Sequence, residues 1–418
     1  MATGSSGKSR VTDEQLAQLR RRSLQFVVLI GVVSLFADMT YEGARSITGP
    51  FLAILGASAT TVGVVGGLGE FIGYAFRLVS GYLADRTGRY WPMTITGYII
   101  NLLAVPALAL AGRWQVAAFL IMAERFGKAL RNPPRDVMLS HATASVGRGW
   151  GFGLHEALDQ IGAIVGPLVV AGVLYWRQSY TLGFAVLLVP ALLALAVLVM
   201  ARWLYPAPRT LEDAQGQADT GVAAGAALDR QSASVGRLPA RFWIYMAFVS
   251  LSVAGYAHFQ LISYHFELTR TVLPDAIPVF FSVAMGVDAL VALWAGRLFD
   301  RTGMKALAVI PLLSLPIAPL VFSRGFGLAL AGVVLWGAVM GVQETIMRAA
   351  IADLAPAERR GFAYGVFNTA YGLAWFAGSA VMGLLYSVSW WYLVGFSLVL
   401  ELAAVPVLLR LTRLPALT

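Results

Sequence analysis

The chain has 418 residues, 58% of them hydrophobic, only 13% charged, and a formal net charge of +9. Its mean hydropathy is +0.71, and a soluble domain carries about 25% charged residues, so the composition excludes a soluble globular protein. The chain has no cysteine, which excludes disulfides, thiolate metal sites and cysteine catalysis.

In chain order, residues 1–23 are polar and hold Arg20, Arg21 and Arg22. Thr12-Asp13-Glu14-Gln15 has the spacing of a capping box, which predicts a short helix leading into the first apolar run. No cleavable signal is expected, because a full-length span follows instead of a short apolar core. A spanning helix needs about 20 mostly apolar residues. On that measure spans fall at 24–46, 58–82, 92–112, 115–133, 150–175 and 181–204. Residues 205–241, rich in Ala, Gly, Gln, Asp and Ser, read as a linker. A second set follows at 242–266, 275–298, 306–323, 326–350, 362–386 and 390–411. The fold class is therefore all-α and integral to the membrane: twelve transmembrane helices in two six-helix bundles, 24–204 and 242–413.

Basic residues alternate in side. Arg20 to Arg22, Arg86, Arg89, Arg148, Arg301, Lys305, Arg359, Arg360 and Arg410 fall on one face, against Arg45, Arg113, Arg177, Arg270 and Arg324 on the other. This asymmetry places both termini and the linker in the cytoplasm, and it accounts for the net charge without a nucleic-acid partner. Trp114, Trp176, Trp203, Trp243, Trp390 and Trp391 lie near span ends, as interfacial anchors do.

The two halves repeat. Gly81-Tyr82-Leu83-Ala84-Asp85-Arg86-Thr87-Gly88-Arg89, read as a basic loop after the second span, returns as Gly296-Arg297-Leu298-Phe299-Asp300-Arg301-Thr302-Gly303 after the eighth. Arg148-Gly149-Trp150-Gly151-Phe152-Gly153 matches Arg360-Gly361-Phe362-Ala363-Tyr364-Gly365, and Arg131 with Asp136 matches Arg348 with Asp353. Parallel repeats of this kind enclose a substrate site near the bilayer midplane.

On these residues the chain resembles the major facilitator superfamily over about residues 20–413. The loop signature is matched at Gly81, Leu83, Asp85, Arg86, Gly88 and Arg89, with Tyr90 where a further basic residue is common. Gly162-Ala163-Ile164-Val165-Gly166-Pro167 resembles the fifth-span signature of proton-linked drug exporters. The fourth span departs from that branch: it reads Glu124-Arg125-Phe126-Gly127-Lys128 where the exporters carry an arginine and then a Gln-Gly pair. The resemblance implies a latch in which Asp85 meets the start of the eleventh span with Arg131, and Asp300 the start of the fifth with Arg348. It also implies that spans one, four, seven and ten line the cavity. Small residues at Gly162 and Gly166 permit close helix approach, and Pro167 bends its helix.

Charge inside a span is costly and marks function by default. Asp38, Glu42 and Arg45 share one face of the first span, as do Glu124, Lys128 and Arg131 in the fourth, with Arg125 turned aside. His155, Glu156 and Asp159 lie within one turn of the fifth, Glu70 and Arg77 in the second, Asp288 in the eighth and Glu344 in the tenth. The expected proton-coupling groups are Asp38, then Asp159 and Glu124, with Glu42 beside them. Against this stands a purely structural role, with Glu42–Arg45 and Glu124–Lys128 as buried ion pairs. His258 and His265 have no evident carboxylate partner except Glu267. Tyr41, Arg45, Glu70, Arg125, Lys128, His155, Glu156, Tyr256, Trp336 and Glu344 are the expected cavity residues, the aromatics offering stacking or cation–π contact.

The expected function is proton-coupled antiport, exporting a small amphipathic organic solute by alternating access, with the proton gradient as energy source. No cofactor and no bound metal are expected, and a monomer in the cytoplasmic membrane is the expected unit. A nutrient symporter, a divalent-metal exporter using Asp38, Glu42, His155, Glu156 and Asp159, and a membrane-embedded enzyme or receptor remain the alternatives. The charge on the fourth span also keeps an anionic solute open.

Overall fold

The computed structural model of the chain describes residues 13–143, 147–207, 238–355 and 359–413. Thr12 of the expected capping box, and residues 208–237 of the expected linker, lie outside the described residues. The first apolar run forms α1, Asp13–Ile54, longer than its expected span because nothing interrupts it before Gly56, whose φ is 81°. Ser58 then caps α2, Ala59–Thr87, by accepting a hydrogen bond from the Thr61 N–H. Next come α3, Tyr90–Ala107, and α4, Trp114–Thr143. They are followed by α5, Arg148–Arg177, α6, Tyr180–Val186, and α7, Leu188–Leu204. The α6–α7 break has a local cause: Pro190 cannot donate to the Val186 carbonyl.

The second half holds α8, Ala240–Gly255, α9, Phe259–Thr269, and α10, Ala276–Thr302. A short 3-10 stretch, Gly303–Ala308, leads to α11, Val309–Ser314, and α12, Ile317–Val321, in a region broken by Pro311 and Pro316. Then follow α13, Phe326–Val342, a π-turn at Gln343–Met347, and α14, Arg348–Leu354. Last are α15, Arg360–Val388, and α16, Trp390–Arg413. Among the described residues there is no strand, and ten helical stretches are long and apolar enough to cross a membrane. Helix α4 falls outside that count, its middle carrying Glu124, Arg125, Lys128 and Arg131. The count also takes Ala276–Val321 as one run, which spans the eighth and ninth expected segments. Large apolar side chains such as Leu110, Phe119 and Leu290 are exposed, forming a surface suited to lipid.

The repeated motif is mostly not a loop. Gly81 to Thr87 complete α2, and the turn falls at Gly88, whose φ of 63° is the left-handed region that favours glycine. In the copy, Gly296 to Thr302 complete α10, and Gly303 turns with φ 58°. No residue before either glycine breaks a helix, so both helices run on past the apolar stretch.

Glycines bring the helices together. A Cβ on Gly162 would lie 2.2 Å from the Leu35 carbonyl oxygen, and one on Gly166 2.3 Å from that of Met39, so α5 packs on α1 at backbone distance. The corresponding pair in the second half makes the same contact: a Cβ on Gly378 of α15 would meet the Ala254 oxygen of α8 at 2.2 Å. Across the halves, α2 packs along α15, α5 along α10, and α1 against α9. The α1–α9 contacts lie at the end of the molecule away from the α2–α3 turn, and α2 and α15 meet there as well as along their lengths. There Tyr264 Oη donates to the Ala57 carbonyl at 3.1 Å, the Thr60 and Ser387 hydroxyls lie 2.9 Å apart, and Gly63 abuts the Ser379 carbonyl. That end is closed.

Candidate functional site

Between the halves a cavity of about 550 Å³ runs from the middle of α1 to the end where α4 stops and α5 begins. Asp38, Tyr41 and Glu42 of α1, Lys128, Arg131 and Arg135 of α4, and His155, Glu156 and Asp159 of α5 form one side. Asp288 of α10, Glu344 of the π-turn and Arg348 of α14 face them. The sequence-expected Asp38, Glu42, Asp159, Tyr41, Lys128, His155, Glu156 and Glu344 therefore do meet at one site.

Helix α1 sets the centre. Tyr41 donates its hydroxyl to Asp38 Oδ1 one turn back. Lys128 Nζ sits 3.8 Å from the centre of the Tyr41 ring and 3.9 Å from Glu42 Oε1. Asp38 makes no ion pair among the described residues, whereas Glu42 also meets Arg45 at 3.5 Å. On α5, His155 takes Ser34 Oγ at 2.9 Å through Nε2 and Asp159 at 3.5 Å through Nδ1.

Deeper in, Glu70 is a hub. Its Oε1 receives Arg45 Nη2 at 3.0 Å, Arg125 Nη2 at 3.4 Å and His258 Nε2 at 3.5 Å. Arg125 also meets Glu124 at 3.2 Å, and Asn101 Nδ2 holds Glu124 Oε1 at 2.8 Å. This corrects three expectations. Arg125 is turned inward, since its long side chain reaches around the helix. Lys128 pairs with Glu42 and not with Glu124, which Arg125 and Asn101 already hold. His258 does have a carboxylate partner, 188 residues away in sequence, while His265 meets the Tyr386 hydroxyl at 2.8 Å and not Glu267.

His258 reaches Glu70 because the seventh expected span is broken at Tyr256–His258. The His258 Nδ1 accepts from the Gln260 N–H at 3.2 Å and so caps α9. That bond puts the ring proton on Nε2, the atom facing Glu70. Trp336 Nε1 donates to the freed Ala257 carbonyl at 2.9 Å, and Tyr256 Oη to the Trp336 carbonyl at 2.6 Å. Tyr256 and Trp336, which the sequence leads one to expect in the cavity wall, thus do not line it. They stack on each other at 5.5 Å and are fully buried, where they close the helix break.

The expected latch groups are apart in this conformation. Asp85, Arg86, Arg89, Asp300 and Arg301 are exposed, and among the described residues Asp85 and Asp300 make no ion pair. Arg131, expected beside Asp85, is instead 1% exposed and stacks over Tyr98 at 4.2 Å. Further polar residues join the site without having been singled out as cavity residues, among them Arg77, Asn101, Arg135, Gln160 and Asp288. Gln160 Nε2 donates to Asp288 Oδ2 at 3.1 Å, tying α5 to α10. Their signal was a polar residue inside an apolar run, which alone does not say which helix it faces.

An all-helical chain with ten helical stretches long and apolar enough to cross a membrane, enclosing a charged cavity, has the architecture of a multi-pass membrane protein. The chain belongs to the Major Facilitator Superfamily, whose family model matches residues 30–379 and 274–417. It is 43% identical over 392 residues to an uncharacterized protein of Mycobacterium tuberculosis, covering 94% of this chain and 93% of that one. Identity to an uncharacterized MFS-type transporter of Methanocaldococcus jannaschii is 25% over 378 residues, covering 87% and 89%. A shorter match, 30% over 134 residues and 32% of each chain, is to the multidrug resistance protein MdtH of Photorhabdus laumondii. Among solved structures, the nucleoside transporter NupG superposes with a TM-score of 0.68 at 15% identity, covering 93% of this chain and 100% of its own. A bacterial homolog of the human lysosomal transporter Spinster, inward-facing and occupied, reaches 0.70 at 14%, covering 94% and 97%.

Proposed function

We propose that this transporter is a proton-coupled antiporter that exports a small organic solute across the cytoplasmic membrane by alternating access. In this reading α1 to α7 and α8 to α16 are two six-span bundles. The broken pairs α6–α7 and α8–α9 each count once, α11 with α12 makes the ninth span, and α13 with the π-turn and α14 makes the tenth. The basic face, with both termini, is cytoplasmic, so the cavity is open inward.

The observation that carries the coupling is Asp38. It lines the cavity, is 7% exposed, and has Tyr41 but no cation for a partner. A paired carboxylate such as Glu70 is held by its cations, whereas an unpaired one is free to exchange a proton for a solute. Loss of charge at Asp38 would weaken its hold on the Tyr41 hydroxyl and alter the field on Lys128 over the same ring. That links protonation to the α1–α4 wall. The fifth-helix glycines and the partial match to MdtH support export. The metal alternative lacks such support, since among the described residues no three His, Asp or Glu converge to hold an ion.

The test is dye-reported proton movement in inside-out proteoliposomes with an acidic lumen, beside Asp38→Asn. Solute-driven proton efflux in wild type, absent in the variant, is expected. Uphill solute movement undiminished in Asp38→Asn would refute coupling through this residue, and proton entry in the same direction as solute would make the protein a symporter.

A further inference from the structure

Polar atoms of the cavity that have no protein partner among the described residues are mostly donors on the α1, α2, α4 and α15 side, where Glu42 Oε2 and Asn132 Oδ1 are the acceptors, and acceptors on the α5 and α10 side. A recess of about 80 Å³ adjoins the main cavity and shares Glu42, Arg77, Lys128, Glu344 and Arg348 with it. Its unpartnered buried atoms are three donors, Trp375 Nε1, Arg77 Nε and Arg45 Nε, and one acceptor, Glu42 Oε2, whose other oxygen already meets Arg45 and Lys128. Trp375 is 2% exposed. Of its three acids, Glu42 and Glu70 are already engaged by Arg45, Lys128, Arg125 and His258, and Glu344 makes no ion pair among the described residues.

The opposite wall, on α5 and α10, presents unpartnered acceptors: Asp159 Oδ1, Gln160 Oε1 and Asp288 Oδ1. Asp288 is 3% exposed, and among the described residues its side-chain partner is the Gln160 amide alone. The Gln160 amide points its nitrogen at Asp288, which leaves its own oxygen free as an acceptor. No Lys or Arg of α5 or α10 lines the cavity; its cations come from α2, α4 and α14.

A buried donor or acceptor without a partner is costly, and one ligand with groups of both signs satisfies both clusters. We infer that the transported solute is a small zwitterion. Its anionic group, a carboxylate or phosphonate, sits with Arg77, Lys128 and Trp375, and its ammonium with Asp288, Gln160 and Asp159. Glu344, on the shared wall, stands between the two ends. A cation alone leaves the recess donors unmet, and an anion alone leaves Asp288 unmet. The assignment rests on the cavity being the solute path.

The test is binding to the purified full chain in nanodiscs, read as ligand-induced thermal stabilisation. The probes are leucyl-leucine, its C-terminal amide, its N-acetyl derivative and 2-aminoethylphosphonate. At least one zwitterion is expected to bind, and whichever of the two stabilises the protein identifies the anionic group. The two singly charged dipeptide derivatives are expected to bind roughly tenfold or more weakly than leucyl-leucine, as for removal of one partner from a charged contact. Arg77→Gln should narrow the gap between leucyl-leucine and its amide alone, and Asp288→Asn the gap to the N-acetyl derivative alone. Arg77→Lys and Asp288→Glu carry the same comparison if the neutral variants do not fold. Equal binding of charged and blocked probes, equal effects of both substitutions on every probe, or no binding by either zwitterion would overturn the assignment. Binding needs no gradient, so it separates this inference from proton antiport: either can fail while the other stands.

Discussion

Glu70→Gln removes the charge at the centre of the network without removing its volume. Three carboxylates, Glu42, Glu70 and Glu124, balance three cations, Arg45, Arg125 and Lys128, through contacts of 3.0 to 3.9 Å. After the substitution Arg45 keeps only Glu42, and Arg125 keeps only Glu124, so one net positive charge is left buried. Breaking a buried pair from one side costs about 3–5 kcal/mol. The remaining pairs share the excess, so the expected loss lies at the lower end, about 3 kcal/mol. The same change loosens the Glu70–His258 contact that ties the halves at the closed end. Unfolding by SDS in mixed micelles, followed by circular dichroism, measures the first effect. A Glu70→Gln/Arg125→Gln double variant restores neutrality and should recover part of the loss. A single-variant loss under about 1 kcal/mol, with no recovery in the double variant, would refute the charge-balance reasoning.

Other predictions follow from the same geometry. Gly166→Val should fail to accumulate as folded protein, since its Cβ would meet the Met39 backbone at 2.3 Å, whereas Gly172→Ala, with nothing within 4 Å, should be neutral; size-exclusion profiles of the two decide this. Trp336→Phe keeps the stacking but leaves the Ala257 carbonyl unpaired, which should cost about 1–3 kcal/mol in the same SDS titration. Tyr41→Phe should leave solute binding near wild type while changing the proton-driven rate, because the hydroxyl it removes touches Asp38 and not the proposed solute contacts. His258→Gln can still donate to Glu70, and His258→Ala cannot, so only the alanine variant should make a cysteine at Gln260 more reactive to a membrane-impermeant thiol reagent from the closed face.

Much of the architecture was legible in the sequence because membrane insertion is governed by local properties. An apolar run of sufficient length forms a helix wherever its backbone must be satisfied internally, and Lys and Arg positions bias its direction. The glycines at Gly162 and Gly166 were legible for the same reason: only a residue without Cβ lets α5 approach α1. Helix ends were less so, since a helix runs past its apolar stretch until a residue such as Gly88 stops it.

Half of the site was readable as charges inside spans. Asp38, Glu42, Glu124 and Asp159 declare themselves by the cost of placing them there. Their partners do not, because partnership depends on which helices pack and how each is rotated. Glu70 and His258 meet across 188 positions, and only the α8–α9 break aims the imidazole at the carboxylate. Trp336 looked like a cavity aromatic until the fold set it against the carbonyl freed by that break. The sequence by itself determined a membrane-spanning helical chain with charged residues inside its spans. Tertiary structure alone decided which charges are paired and which face the cavity, because ion pairing acts over a few ångströms and sequence distance carries no information at that scale.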